Sequence, residues 1–397
     1  MLLPNRLSAP GFSFFLIFTI LYIFSGSFIY FTGLPYRPIY VIFLILPLIL
    51  VYEINLARYL IYLLLFLVIT LISLVINNSS ITGFIQYLRF LVVPFLMVFL
   101  VDTYFRPYKI NKILKWLVFV ALIQIPVVVI QKIFYNTLIP LGKGTISEPD
   151  FYFGTFPWSG DPSMTFFLNC LIIYFLFNER HCFSNKRRFL LSILLSIPII
   201  LSGSDVMRLI NFFLWASFFT FKFKKIVTLT ILISLIFFTP FISKHIQMPA
   251  ALSKVMLLKD VNEIPKGRGT LEEFKSGKYA REAGFYYFFI HKPISLFGDG
   301  PGEYVAGFSK KMKLGISGHL LLFYAEIGLL GLFASYMTLY KINFRHKKTT
   351  FFNSNKCLKY LFISLLFLSL TSNILNDTSV MFTVAIFSKL FNITNHS

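Results

Sequence analysis

Acidic side chains are scarce in this sequence. There are 16 Asp and Glu against 37 Lys and Arg, a net charge of +21, and only 13% charged residues among 397. Soluble domains carry about 25%. With 57% hydrophobic residues and a mean hydropathy of +0.75, a water-soluble fold could not hide its apolar surface. A bilayer could, because lipid takes the place of water around the helices. Cysteine is sparse too. Cys170, Cys182 and Cys357 form no pairing pattern, so no disulfide framework is implied. The six histidines are scattered, HExxH and CxxC are absent, and no DxD-like pair suggests a metal-held nucleotide sugar. No metal or other cofactor is expected. A basic balance can signal nucleic acid, but these cations fall in short clusters between apolar runs, as orientation signals do in membrane proteins. No nucleic-acid partner is expected.

Long apolar runs are what the sequence has in quantity. They lie near 11–32, 38–52, 59–76, 84–102, 115–134, 163–178, 189–203, 208–221, 226–243, 319–340, 358–373 and 378–392, twelve candidates. In hydrocarbon the backbone must satisfy its own hydrogen bonds, so each is read as a helix. The first run is too long for a cleavable signal, and no small-residue cleavage site follows it. The expected fold is an all-α polytopic integral membrane protein of about 12 transmembrane helices, with no internal repeat and no inverted pair of broken helices.

Orientation follows from the loop cations. Loop 103–115 carries Arg106, Lys109, Lys112 and Lys115; loop 179–188 carries Arg180, Lys186, Arg187 and Arg188. Loop 222–225 has Lys222, Lys224 and Lys225, and loop 341–357 has Lys341, Arg345, Lys347, Lys348 and Lys356. With twelve spans all four fall on one side, which the positive-inside rule makes cytoplasmic, and both termini join them there. Two outward loops are long. Loop 135–162 sets Glu148, Asp150 and Asp161 against Lys143; loop 244–318 holds twelve Lys and Arg against seven acids. Loops of that length cross largely regardless of charge. The organisation is therefore residues 1–243 as spans one to nine, 244–318 as a partly helical extracytoplasmic loop, and 319–397 as spans ten to twelve.

Ionisable groups inside apolar runs are costly there and are functional candidates. Arg89, in "QYLRFLVVPF", is either an arginine snorkelling to the interface or, with Gln86 one turn earlier, part of an inward-facing polar site. Asp205 and Arg208, in "SGSDVMRLI", stand three apart and can pair on one helix face. The pair is either an exposed ion pair worth little or a phosphate site, since a guanidinium fork donates two parallel hydrogen bonds and keeps its proton. His319 opens the tenth span and Glu326 lies seven residues on, so both face one way, about 10 Å apart along the axis. A glutamate in such apolar surroundings must be protonated, paired or wet. His319 is either a helix-start polar residue or a general base near the outer face. "GDGPG" at 298–302 looks like a phosphate loop but matches no nucleotide signature, and a tight turn is the plain alternative. In the outer loop Arg268 and Arg281 stand out. "KYAREAGFYYFFIHKP" has helical spacing and an aromatic face suited to a membrane interface, which would aim Arg281 at phosphates; a solvated cation is the plain alternative.

Taken together, "HKPISLFGDGPGEY" after a large outer loop, "GHLLLFYAEIGLLGLF" at the next helix, and about twelve spans resemble the O-antigen polymerase and O-antigen ligase superfamily (Wzy-type). That family shows a Pro-containing "hP..lfG.GpG" stretch, then a His-bearing stretch and "aE.GllG". Here His291, Pro293, Gly298, Gly300, Pro301 and Gly302 match the first part, and Ala325, Glu326, Gly328, Leu329 and Gly331 the last. "LSGSDVMR" resembles the family's Ser-Arg turn. There are two departures. The family's His stands about nine residues before the acid, where this chain has Ser317 and His319 is two nearer; the family's Arg follows the turn Ser directly, where this chain has Asp205 after Ser204 and Arg208 a turn later.

The resemblance implies a metal-independent glycosyltransferase at the outer face of a bacterial inner membrane. Its substrate would be a polyprenyl-diphosphate-linked oligosaccharide, which it polymerises as in O-antigen, lipopolysaccharide or capsule synthesis, alongside membrane lipids and a chain-length regulator. An acceptor hydroxyl attacks the anomeric carbon and the lipid diphosphate leaves. On that reading Arg208 and Arg281 meet the diphosphate with Arg89 and Arg268 in support, His319 is the base, and Glu326 and Asp205 steady the site. Ligation of finished glycan to a lipid or protein acceptor is the alternative within the family. A lipid-linked glycan flippase is the alternative of another class.

Overall fold

Residues 24, 26, 57–104, 110–141, 151–157, 161–178, 183–222, 294–304, 318–343, 356–375 and 377–393 are described by the computed structural model. Every long element among them is a helix. In chain order these are α1 (Ala57–Ile76), α2 (Ile81–Tyr104), α3 (Ile110–Ile133), α4 (Asp161–Phe177), α5 (Asn185–Leu201), α6 (Asp205–Lys222), α7 (His319–Asn343), α8 (Lys356–Leu368) and α9 (Thr378–Ile393). Each overlaps one of the apolar runs, and most ends agree within a few residues. The runs at 11–32, 38–52 and 226–243 lie outside the described residues, apart from Phe24 and Gly26.

Burial sorts these helices. Residues 163–176 of α4 are all buried, and α9 is buried almost as completely. A helix that is apolar all round belongs at the centre of a bundle. α1, α3 and α5 lie outside and keep large apolar side chains exposed. Ile61, Leu64, Leu65, Val68, Val75 and Ile76 line α1, Trp116, Phe119, Ile130 and Ile133 line α3, and Leu190, Ile193, Ile197 and Ile200 line α5. Scattered exposed leucines are ordinary, but stripes running the length of a helix are surfaces made for an apolar partner. Among the described residues, two helices are long and apolar enough to cross a membrane by length and composition, Ile113–Ile133 and His319–Asn343.

The second of these is not a straight rod. At Gly328 the backbone turns to φ 70°, ψ −168°, a region essentially reserved for glycine. His319 Nε2 lies 3.1 Å from Ser335 Oγ, although a straight helix would hold them about 24 Å apart. The sequence predicts one continuous span here, and that expectation is corrected: α7 is two limbs, 319–327 and 329–343, folded back on each other.

A second departure concerns loop 135–162, expected as an outward connection. After a short helical stretch over 135–141, its described end, 151–157, is packed inside the bundle, with Phe151, Tyr152, Phe153 and Phe156 all buried. Two glutamines of α3 hold it. Gln131 Oε1 accepts from Gly154 N at 2.8 Å and its Nε2 donates to Gly154 O at 2.9 Å. Gln124 Oε1 accepts from Thr155 N at 2.8 Å, and its Nε2 donates to Thr155 Oγ1 at 2.9 Å. The amide side chains stand in for the ladder partners that a buried, non-helical backbone lacks.

Candidate functional site

The break in α7 is held open by the glycine-rich segment 294–304. At the break, Ala325 and Glu326 lose their helical acceptor roles, and Leu329 and Leu330 lose their helical donor roles. The segment supplies both sets of partners. Asp299 N donates to Ala325 O at 2.9 Å and Gly300 N to Glu326 O at 2.8 Å; Leu329 N donates to Ser295 O at 3.0 Å and Leu330 N to Leu296 O at 3.2 Å. One stretch of chain thus caps the end of the first limb and the start of the second, which satisfies the orphan groups of both. The last turn of α1 lies against it, with Ser73 Oγ donating to Phe297 O at 2.6 Å and to Glu326 O at 3.1 Å. So the last part of the expected outer loop belongs to the helical bundle.

The Glu326 side chain is fully buried. Its Oε2 accepts from Gly302 N at 3.0 Å and its Oε1 from Tyr304 N at 2.5 Å. This is how the sequence requirement that the glutamate be protonated, paired or wet is met among the described residues. Hydrogen bonds to a charged acceptor contribute about 1.5–3 kcal/mol each. The same accounting decides between the two readings of "GDGPG". The amides of residues 298, 299, 300, 302, 303 and 304 are all used inside the protein, on Ser295, Ala325, Glu326 and Gly300. Pro301 has none to give. The run is a structural turn, with no amides left over to cradle a phosphate. Tyr304 Oη donates to Asp299 Oδ2 at 2.7 Å and completes the clamp.

His319 is fully buried as well. Phe323 lies against its ring at 4.0 Å between centroids and Tyr336 meets it edge-on at 5.3 Å. Asn373 is a further polar neighbour. The chain entering the helix is pinned to the turn after α8: His319 N donates to Ser372 O and Leu320 N to Ser369 O, both at 3.0 Å. Tyr336 Oη and Ser369 Oγ are hydrogen-bonded across the same junction. Sequence reasoning missed Ser335, Tyr336 and the "SLTSN" stretch at 369–373. The cluster of short polar residues interrupting an apolar run was the available signal.

Asp205 and Arg208 pair as their spacing predicts, Nη2 to Oδ1 at 2.6 Å, with side chains 18% and 29% exposed. Behind them a buried polar contact joins α4 to α6. Asn211 Nδ2 donates to Asn169 Oδ1 at 3.0 Å, and Asn169 Nδ2 to Met207 O at 3.1 Å. Further out, Ser163 donates to the Asp377 carboxylate, which also accepts from Ser379 N at 2.9 Å and Val380 N at 3.0 Å and so caps α9. Burial pushes the Asp377 carboxyl pKa up, against the hydrogen bonds from Ser163, Val380 and Ser379 that hold it down.

Ring contacts fix the heights of these groups. Phe177, Phe218 and Tyr360 meet in one aromatic layer at the basic end of the bundle, with centroids 6.4 and 4.5 Å from Phe177. From that layer, Asn169 is about 12 Å up α4, Arg208 about 15 Å up α6 and Ser369 about 13 Å up α8, at about 1.5 Å per residue. Arg208, the 369–373 turn and His319 therefore share a level, although the sequence places them in three separate segments. Glu326 sits about 10 Å above His319 on the same limb. Arg89 lies in α2, with its side chain outside the described residues; Arg268 and Arg281 lie outside them entirely. No protein-family model matches the chain, and no curated protein sequence matches it.

Proposed function

We propose that this chain is a multi-pass glycosyltransferase of a bacterial inner membrane, with about twelve spans and both termini cytoplasmic. It joins polyprenyl-diphosphate-linked oligosaccharide repeat units at the outer face. The observation that carries this reading is the lock between the two stretches on which the resemblance rests. "GDGPGEY" and "AEIGLLG" are separate in sequence, yet Asp299, Gly300, Gly302 and Tyr304 all bond to Ala325 or Glu326. The paired motifs are one structural unit, which gives a physical reason for them to occur together. The apolar stripes on α1, α3 and α5 support embedding in lipid.

The chemistry asks for cations where diphosphate charge develops in a water-poor site, and for a base near the acceptor hydroxyl. Arg208 answers the first, with Arg89, Arg268 and Arg281 as its partners in the role. His319 answers the second on condition that the packing of Phe323 and Tyr336 opens to admit the acceptor. Glu326 acts through the loop it holds. A chain-length regulator is the expected protein partner, and neither a cofactor nor nucleic acid is required. The test is extension of a defined polyprenyl-diphosphate-linked repeat by purified protein, read as a ladder on a gel. A folded, lipid-reconstituted sample that yields no ladder overturns the polymerase reading. A product that carries finished glycan on a lipid or protein acceptor, without a ladder, points to the ligase.

The broken helix favours a second reading. Discontinuous helices with polar sites near the midplane are a recurrent device of transporters. Movement of lipid-linked glycan across liposomes without lengthening would support a flippase instead.

A further inference from the structure

From the hydrogen bonding around His319 we infer that its Nδ1 is the nitrogen that takes the proton, and that Ser335 and Asn373 are its positioning residues. Ser335 fixes the tautomer, and Asn373 holds the proton once it has arrived. The inference rests on His319 being the base of the proposed transfer. It goes beyond that reading by assigning the reacting atom and the two groups that aim it.

Ser335 decides the tautomer. A hydroxyl has one proton to give and two lone pairs to offer. Ser335 Oγ gives its proton to Leu332 O at 2.7 Å, so toward His319 Nε2, 3.1 Å away, it can only accept. In the neutral ring Nε2 therefore carries the hydrogen, and Nδ1 carries the lone pair. The fold-back at Gly328 brings Ser335 to the ring and so sets which nitrogen is basic.

Asn373 faces the other side of the problem. His319 Nδ1 is buried without a formed hydrogen bond, and so is Asn373 Oδ1. Asn373 is nonetheless the ring's polar neighbour. The backbone ties it there, because Ser372 O, one residue before it, accepts from His319 N at 3.0 Å. With Nε2 protonated, both atoms are acceptors. Two buried acceptors left unpaired are costly, and such atoms call for an explanation. One added proton satisfies both, since Nδ1–H can then donate to Oδ1. The pocket is thus complete when the ring is protonated, with Nε2–H on Ser335 and Nδ1–H on Asn373.

The chemistry follows from that arrangement. The acceptor hydroxyl gives its proton to Nδ1 while its oxygen bonds to the anomeric carbon, and the lipid diphosphate leaves with the electron pair of the broken C–O bond. Asn373 Oδ1 then accepts from the new N–H, so the imidazolium is not buried with an unpaired donor.

Nitrogen-15 NMR of the full chain in lipid, labelled at histidine, reads the tautomer without requiring activity. The His319 signals are those lost in His319→Gln. The neutral ring should favour Nε2–H over Nδ1–H by at least about fivefold. Ser335→Ala leaves Asn373 Oδ1 as the acceptor and should reverse that ratio. With carbon-13 asparagine added, Nδ1 of the wild-type protein should couple to an asparagine side-chain carbon. A neutral ring that is mainly Nδ1–H overturns the proposal. A ratio unmoved by Ser335→Ala removes Ser335 from the role, and an absent coupling removes Asn373. In a protein that extends a lipid-linked repeat, Asn373→Ala that unfolds as wild type does should lower kcat at least about tenfold, with KM within about threefold. An unchanged kcat overturns the positioning role. The expected tautomer and coupling in a protein without extension activity leave Nδ1 as the proton-accepting atom and remove the polymerase reading alone.

Discussion

His319 Nε2 and Ser335 Oγ lie 3.1 Å apart across 16 residues of sequence. Only a fold-back at Gly328 permits this, and that fold-back converts an apparent single span into a two-limbed element with a polar junction at its base. His319, Ser335, Tyr336 and Ser369 are bonded or stacked there, so the break and the candidate site are one feature.

Gly328→Ala should therefore be among the most damaging single substitutions. The left-handed, extended backbone at this position is strained by about 1–3 kcal/mol for any other residue. The new methyl group would also press on the Leu296 carbonyl that passes beside it. Thermal unfolding in detergent should show a lowered midpoint, together with loss of monodisperse protein. A midpoint equal to wild type would mean that α7 does not turn here.

Glu326→Gln tests the clamp with almost no change in shape. The carboxylate offers an oxygen to each of the Gly302 and Tyr304 amides. A carboxamide offers one oxygen and turns an N–H toward the other amide. The expected loss is about 1–3 kcal/mol, the cost of one unsatisfied buried donor. Hydrogen exchange at residues 300–304 should rise at least tenfold, with exchange in α4 unchanged. Unaltered protection at 302 and 304 would show that the carboxylate does not hold the loop.

How much of this was legible in sequence follows from what each signal encodes. Apolar runs located α1 to α9 closely, because burial in a bundle or a bilayer demands the same uninterrupted hydrophobicity that the eye finds. The Asp205–Arg208 pair was legible because spacing of three is a local property of a helix. The need of Glu326 for partners was legible from its apolar neighbours, but their identity was not, since Gly302 and Tyr304 are backbone donors that leave no side-chain signature. Gly328 enters the sequence reading only as one match in "AEIGLLG", with no conformational role. Its role appears only when Ser295 and Leu296, more than 30 residues earlier, are seen capping the next limb. Likewise Phe151 to Phe156 read as loop aromatics until the amides of Gln124 and Gln131 are seen to supply the hydrogen bonds that let that backbone go inside.

Gln131→Leu isolates this last device. The leucine keeps the bulk but leaves Gly154 N–H and C=O without their 2.8 and 2.9 Å partners. Each unsatisfied buried group costs about 1–3 kcal/mol. The variant should unfold earlier by about 2–6 kcal/mol, and limited proteolysis should cut within 151–157. Gln131→Glu should be intermediate, because it can still accept from the Gly154 amide. Equal stability of the leucine variant would place the loop outside the bundle.

Asp205 and Arg208 separate stability from activity. Their pair is partly exposed, and such contacts contribute no more than about 1 kcal/mol, so Asp205→Ala and Arg208→Ala should both unfold close to wild type. Activity should divide them. Arg208→Ala removes the partly exposed cation of the pair and should abolish extension of a lipid-linked repeat, and Arg208→Lys should recover little, because an ammonium lacks the two-pronged fork. Asp205→Ala leaves the guanidinium charged and should retain extension within about tenfold. Normal ladders from Arg208→Ala, in protein that folds normally, would remove Arg208 from the diphosphate role. A full loss with Asp205→Ala that matches Arg208→Ala would instead mean that the pair acts as a unit, with the carboxylate required to aim the arginine.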